Sequence, residues 1–447
     1  MTDPVVKPRA YKRYLLLVLM LLLAFNYTDR LALGLVLQNI KVDFHASDTE
    51  LGFLSGIAFA FFYSVMGFPI AYWADRGNRV TIISLTAALW SLMVVFTGRA
   101  ANFTQLLLVR VGSAVGESGL MPPANSLIPD YFDRAERPRA VAIYMLGGSL
   151  SNVFGYFIAG WLNQIYGWRL MFMILGAPGI VLAAVTALTL REPRRTTKKR
   201  AAATGPAVSA PVETPLARPT IKQVWATLWR CTTFRHLLFC FSVVSFFGYG
   251  IAQWVPAFFI RSFGLKSGEL GTWLALIYGL GGALGMYLGG TLASRRAAKN
   301  ESAQLKALAV VVSCFGVLSA FVYLSTNVYV AFGLLGLGYI AFATAYGPLF
   351  ATVQTLVPQN MRAMSIAVIY FFANLIGLGL GPLMAGALSD ALRPILGGES
   401  LRYALLALCP GYIWAGWHLA LASRSVSRDL ETIIPDSGRP AQSGIPG

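Results

Sequence analysis

The sequence predicts an all-α membrane protein in which twelve transmembrane helices form two pseudo-symmetric six-helix bundles, and three observations predict it. Of the 447 residues, 56% are hydrophobic and only 12% are charged, about half the charged share of a soluble domain. Apolar stretches of roughly 20 residues, enough to cross a bilayer, recur along the chain. A segment of the first half also returns in the second at a fixed offset of 226 residues.

The spans are read at 14-38, 52-74, 80-98, 103-128, 140-162, 170-190, 236-260, 270-292, 306-325, 328-353, 365-389 and 403-423. The first follows Lys12 and Arg13 as a secretory leader would, yet it continues through Asp29 without a small-residue cleavage site. It therefore reads as a retained helix. With both ends on one side, the inside loops hold 27 Lys and Arg and the outside loops 7. One span more or fewer would break that split. The expected placement is multi-pass in the cell (inner) membrane, both termini cytoplasmic.

Residues 1-190 form the expected N-terminal bundle, 191-220 a cytoplasmic linker, 221-424 the C-terminal bundle and 425-447 a cytoplasmic tail. The linker is rich in Pro, Ala, Thr and basic residues, a composition that buries no core. After it, Ile221, Val224, Trp225 and Leu228 make one apolar stripe, the pattern of a short helix lying on the membrane surface; a core-facing helix start fits as well. The repeat pairs Ile143, Tyr144, Gly155, Ala159 and Gly160 with Ile369, Tyr370, Gly381, Ala385 and Gly386, so spans 5 and 11 are equivalent helices of two parallel repeats. Gly281, Gly285 and Gly289 on span 8, with Gly377, Gly379, Gly381 and Pro382 on span 11, suit helices that pack closely and move against one another.

Several classes lose their support. The net charge of +17 sits in loops between apolar blocks, so nucleic acid is not an expected partner; Arg194, Arg195, Lys198, Lys199 and Arg200 read first as a solvated loop and second as a contact with anionic membrane lipids. Four dispersed cysteines lie away from the three histidines, which gives neither a disulfide framework nor metal spacing. No phosphate-binding GxxxxGK[ST] loop occurs. No histidine lies near a deep serine, so an enzyme acting on lipids lacks its nucleophile and base. No cofactor is expected beyond protons as the coupling ion, and a monomer is the expected state.

Four charged residues fall deep inside the spans: Asp29, Arg30, Arg110 and Glu117. Each costs at least about 2.5 to 3.5 kcal/mol at the bilayer centre, so a compensating reason is required. Their charges sum to zero. Arg110 and Glu117, seven residues apart, share one helix face, and helical rise puts Asp29 and Arg110 at similar depth. An Asp29 to Arg110 pair is expected, with Arg30 as competitor. One reading is a static polar lock between helices. The other is a proton switch: losing water opposes ionisation of a carboxylate and a nearby Arg favours it, so Asp29 and Glu117 are the candidates to exchange the coupling proton. Arg30 and Arg110 are then the groups to fork onto an anionic headgroup. As delimited, the spans of the second half carry no Asp, Glu, Lys or Arg apart from Lys306, the first residue of its span. Their aromatics, with Phe246, Tyr249, Trp254, Tyr346 and Phe371 as cavity candidates, make an apolar wall facing a charged one. That asymmetry favours a lipid-like amphiphile over a small dicarboxylate.

The loop Ala71-Tyr72-Trp73-Ala74-Asp75-Arg76-Gly77-Asn78-Arg79 resembles the signature of the major facilitator superfamily between spans 2 and 3. The resemblance implies that superfamily's fold, with two bundles rocking about a central site, and a cytoplasmic gate in which Asp75, Arg76 and Arg79 contact the opposite half. Asn78 replaces the usual second glycine, and the matching loop Gly290-Thr291-Leu292-Ala293-Ser294-Arg295-Arg296 has Ser where Asp would sit. Asn26-Tyr27-Thr28-Asp29-Arg30, Arg110 with Gly116-Glu117-Ser118, and Pro129-Asp130-Tyr131-Phe132 resemble spinster-type transporters, which implies proton-linked carriage of lysolipids or sphingolipid-like molecules. Organic-anion symporters of the same superfamily share a similar YxDR stretch and a Glu in span 4, and imply small organic anions or drugs as the alternative cargo.

Overall fold

A computed structural model describes residues 9–193, 221–292, 300–357 and 361–433. All regular structure among them is helical. Among the described residues, nine helical runs are long and apolar enough to cross a membrane. Arg137–Thr189 and Met364–Thr432 each hold two of the predicted crossings, the former turning at Gly167, whose φ of +77° is open to glycine and strained for other residues. The fourth crossing is split into Phe103–Glu117 and Met121–Leu127. All twelve predicted crossings thus fall on helices. Large side chains such as Leu108, Leu188 and Ile395 remain exposed, as suits a protein whose outer solvent is lipid. The linker from 194 to 220, the Ala293-Ser294-Arg295-Arg296 part of the second signature loop and the tail beyond 433 lie outside the described residues.

Helix Ile221–Arg230 follows the linker, with Val224 and Leu228 buried and Trp225 stacked on Phe372 at 6.1 Å between ring centres. Its stripe therefore packs on span 11, and Trp229 stays exposed.

Spans 2, 5, 8 and 11 share an irregularity. Span 2 breaks at Gly56 (φ −100°, ψ −99°), and wide π turns interrupt the others at Ser151–Gly155, Ala275–Gly281 and Ala373–Leu380. Such turns free backbone groups and bend the helix. The turns of spans 5 and 11 coincide under the 226-residue repeat, since Ser151 maps onto Gly377. These four spans are also where the halves meet, 2 against 11 and 5 against 8. A Cβ on Gly52 would come within 2.5 Å of Pro382 O, and one on Gly160 within 2.5 Å of Ser267 O. Glycine is what allows these backbones to touch. The predicted ladder behaves differently: Gly285 and Gly289 face Ile340 and Thr344 of span 10, and Gly377 and Gly381 face Ser245 and Phe246 of span 7. Those glycines knit helices within the second half; Gly379, beside Ala60 and Ile57, faces the other half.

The end of the bundle bearing Arg9 and Ile433 is called here the terminal face, and the opposite end the distal face. The halves close on each other at the distal face.

Candidate functional site

Spans 1 and 4 bring the four deep charges together as two ion pairs. Arg30 Nε donates to Glu117 Oε2 at 2.6 Å, and Arg110 Nη1 donates to Asp29 Oδ2 at 3.1 Å. The arginines therefore take one carboxylate each. Asp29, Arg110 and Glu117 are buried, with Glu117 at 0% exposure. Ser113, one turn from both charges on span 4, places Oγ 3.1 Å from Asp29 Oδ2 and 3.1 Å from Glu117 Oε1. The spacing Arg110, Ser113, Glu117 lies on one helix face, so Ser113 was visible in the sequence as a neighbour, though not as a bridge.

Aromatic rings complete the site. The Arg30 guanidinium carbon lies 4.6 Å from the Phe59 ring centre, 4.7 Å from Tyr63 and 5.1 Å from Tyr27, and that of Arg110 lies 4.2 Å from Phe59. Phe59 thus contacts both guanidiniums, an arrangement that stabilises cations out of water. Nothing in the sequence marked Phe59 among its many neighbours of like type. Asp29 Oδ1, Arg30 Nη2 and Arg110 Nε are buried without a hydrogen-bond partner, so the quartet keeps unused capacity.

Beside it, the second half encloses a cavity of about 340 Å³, in the range of about 300 to 1,000 Å³ usual for small-molecule sites. Tyr249 and Phe342 line it, as do Tyr278, Tyr323, Tyr339 and Tyr370, while Asn152 of span 5 reaches in from the first half. The other aromatic candidates need correction. Trp254 is fully buried in the distal seam, where its indole donates to Pro382 O at 2.9 Å. Phe246 packs edge-on against Phe247, and Phe371 packs against Phe372 and Phe68; neither is among the cavity's walls. The side chain of Tyr346 lies outside the described residues. Helical rotation explains the misses: one residue from Phe371 to Tyr370 turns the side chain by about 100°.

The expected gate residues are at the terminal face. Asp75 and Arg76 are exposed, Arg76 stacking on Tyr72 at 3.7 Å from the ring centre. Arg79 is wholly buried, donating to Asp130 Oδ2 at 2.6 Å, to Ser126 O at 2.6 Å and to Glu192. Asp130 and Ser126 belong to its own half and Glu192 to the start of the linker, so the expected contact with the opposite half is not among Arg79's bonds in this structure. With closure at the distal face, this loop is left to tie the ends of spans 3, 4 and 6 to each other. Nearby Lys12 donates to Glu136 at 2.8 Å, and this hydrogen bond holds the Glu136 carboxyl below its ordinary pKa.

The distal seal was missed entirely. Asp48, 1% exposed, receives both Arg261 Nη atoms at 2.8 Å, Lys41 at 2.5 Å and Ser389 Oγ at 2.7 Å. Asp390 answers from span 11, accepting from the Asp48 and Thr49 backbone N–H groups at 3.1 and 2.7 Å. Arg261 and Asp390 each fall one residue beyond a predicted span end, where they read as loop charges.

A buried polar quartet on spans 1 and 4 of the first half, two helical halves sealed against each other at one face, and a cavity in the second half together define a membrane-embedded secondary carrier. The family model for the Major Facilitator Superfamily matches residues 19–382, and the chain belongs to that family. It is 31% identical over 418 residues to an MFS-type efflux pump of Mycolicibacterium smegmatis, covering 92% of this chain and 93% of the relative. It is 26% identical to a probable L-galactonate transporter of Escherichia coli K12, over 87% and 84% of the two chains. Among solved structures, a bacterial homologue of the human lysosomal transporter Spinster, in an inward-facing and unoccupied conformation, superposes with a TM-score of 0.83 at 31% identity, over 95% of this chain and 99% of that one.

Proposed function

We propose that this carrier couples proton movement to passage of a lysolipid or sphingolipid-like amphiphile with an anionic head, across a cell inner membrane with the terminal face in the cytoplasm. Asp29 and Glu117 exchange the proton; Arg30 and Arg110 receive the head. The observation that carries the reading is the place of Ser113, 3.1 Å from a carboxylate oxygen on either side. A hydroxyl has one proton to give. With both carboxylates ionised it serves one and presents lone pairs to the other. With one of them protonated, that carboxyl donates to Ser113 and Ser113 donates to its neighbour, so both contacts become hydrogen bonds.

That proton also releases an arginine. An ion pair whose acid is neutralised loses its Coulomb attraction, the site gains one net positive charge, and a guanidinium can fork onto a phosphate or carboxylate. Rocking of the halves would then expose the loaded site at the other face.

Carriage of small organic anions or drugs is the second reading, favoured by the efflux pump and the probable L-galactonate transporter among the relatives. Reconstitution in liposomes under an imposed pH gradient, with labelled lysolipids offered beside small carboxylates, tests both. Lysolipid uptake should follow the gradient, and Asp29→Asn and Glu117→Gln should each abolish its pH dependence. Preference for the carboxylates would overturn the cargo, and unchanged pH dependence in both variants would leave only a static lock.

A further inference from the structure

We infer that the cavity of the second half holds an uncharged, hydrogen-bonding segment of the cargo, a hydroxyl- and ester-bearing linker next to the anionic head, in place of a bare alkyl chain. The inference rests on the quartet as the headgroup site and narrows the class of amphiphile.

Five tyrosines, Tyr249, Tyr278, Tyr323, Tyr339 and Tyr370, line this cavity. Their rings are held by other rings: Tyr278 meets Tyr339 at 4.7 Å and Tyr323 meets Phe258 at 4.9 Å between centres. Tyr278 and Tyr323 are only 8% and 1% exposed as residues, so little but the cavity is left for their hydroxyls. Among the described residues none of the five hydroxyls has a hydrogen-bond partner. Each phenol offers one donor and an acceptor.

A saturated chain filling the space would displace water from those hydroxyls and satisfy none of them, and a buried polar group left unpaired is costly. Phenylalanine would pack the same rings without that cost. No charged side chain is among the walls, so the complementary ligand segment is itself uncharged. The amides of Asn152 and Asn374 add donors and acceptors of the same neutral kind. A glycerol unit with its hydroxyl and ester has this chemistry.

The test compares two anionic amphiphiles of equal chain length, lauroyl lysophosphatidate and dodecyl phosphate, with a sugar acid, galactonate, as a third ligand. Binding is measured to the full-length protein in nanodiscs. Tyr278→Phe, Tyr323→Phe and Tyr339→Phe keep the rings and should each weaken lysophosphatidate about three- to tenfold, with dodecyl phosphate unchanged. Equal losses for both amphiphiles, or no loss for either, would overturn the inference. If only galactonate binds, and binds in a tyrosine-dependent way, the neutral-segment reading stands and the amphiphile reading falls. If none of the three binds to the wild-type protein, both fall.

Discussion

At the residue scale, Ser113 makes the difference between a lock and a switch on the proposed reading of the quartet. Two ion pairs alone would hold spans 1 and 4 together with no preference for an added proton. The hydroxyl between the carboxylates supplies that preference, because it makes one more hydrogen bond when the pair is singly protonated. Ser113→Ala removes about 1 kcal/mol of it, and 1.36 kcal/mol corresponds to one pH unit. Loading of the proton then demands more acid, so the midpoint of the pH profile for uptake should move down by about one unit, and Ser113→Thr, which keeps a hydroxyl, should restore it. An unmoved midpoint in the alanine variant would remove Ser113 from the switch. The four charges were legible in the sequence because the bilayer makes each so expensive that chance placement is disfavoured. Ser113 was not, since a hydroxyl inside a helix can satisfy itself on its own backbone, as Ser55 and Thr86 do here.

Helices 2 and 11 set the seal at the scale of elements. Gly52 lies against Pro382, Asp48 closes on Arg261, and Asp390 caps the start of span 2. These contacts hold the distal face shut, so weakening them should favour the opposite state. Gly52→Ala forces the backbones apart, and Arg261→Ala leaves Asp48 with Lys41 and Ser389 only; loss of hydrogen bonds to a buried charge is worth about 1.5 to 3 kcal/mol. Distances between spin labels on the distal ends of spans 2 and 11 should lengthen in both variants. A distribution identical to wild type would show that the seal does not bias the equilibrium. Helix periodicity made the crossings legible, but a periodicity has no partner: it could not tell that Gly285 faces its own half while Gly52 faces the other.

For the molecule as a whole, the sequence yielded the crossings, the repeat and the family, because hydropathy, loop charge and a recurring motif survive without coordinates. The cavity was only half legible. An aromatic wall in the second half was anticipated, but Trp254, Phe246 and Phe371 were assigned to it and the hydroxyls of Tyr278 and Tyr323 were overlooked. Which ring of an all-apolar helix turns inward depends on its neighbours, and the lipid on the other side is as apolar as the core.

The balance of two acids and two bases on spans 1 and 4 has an electrical consequence. An empty carrier with all four ionised moves no net charge, and one holding a proton together with a monoanion moves none either. Since one elementary charge crossing the bilayer exchanges about 2.3 kcal/mol with every 100 mV, both legs of such a cycle escape membrane voltage. With a potassium gradient and valinomycin clamping proteoliposomes, exchange of a monoanionic cargo should run at one rate at zero and at negative voltage, and a voltage-dependent rate would require a second proton or another charge in the loaded form.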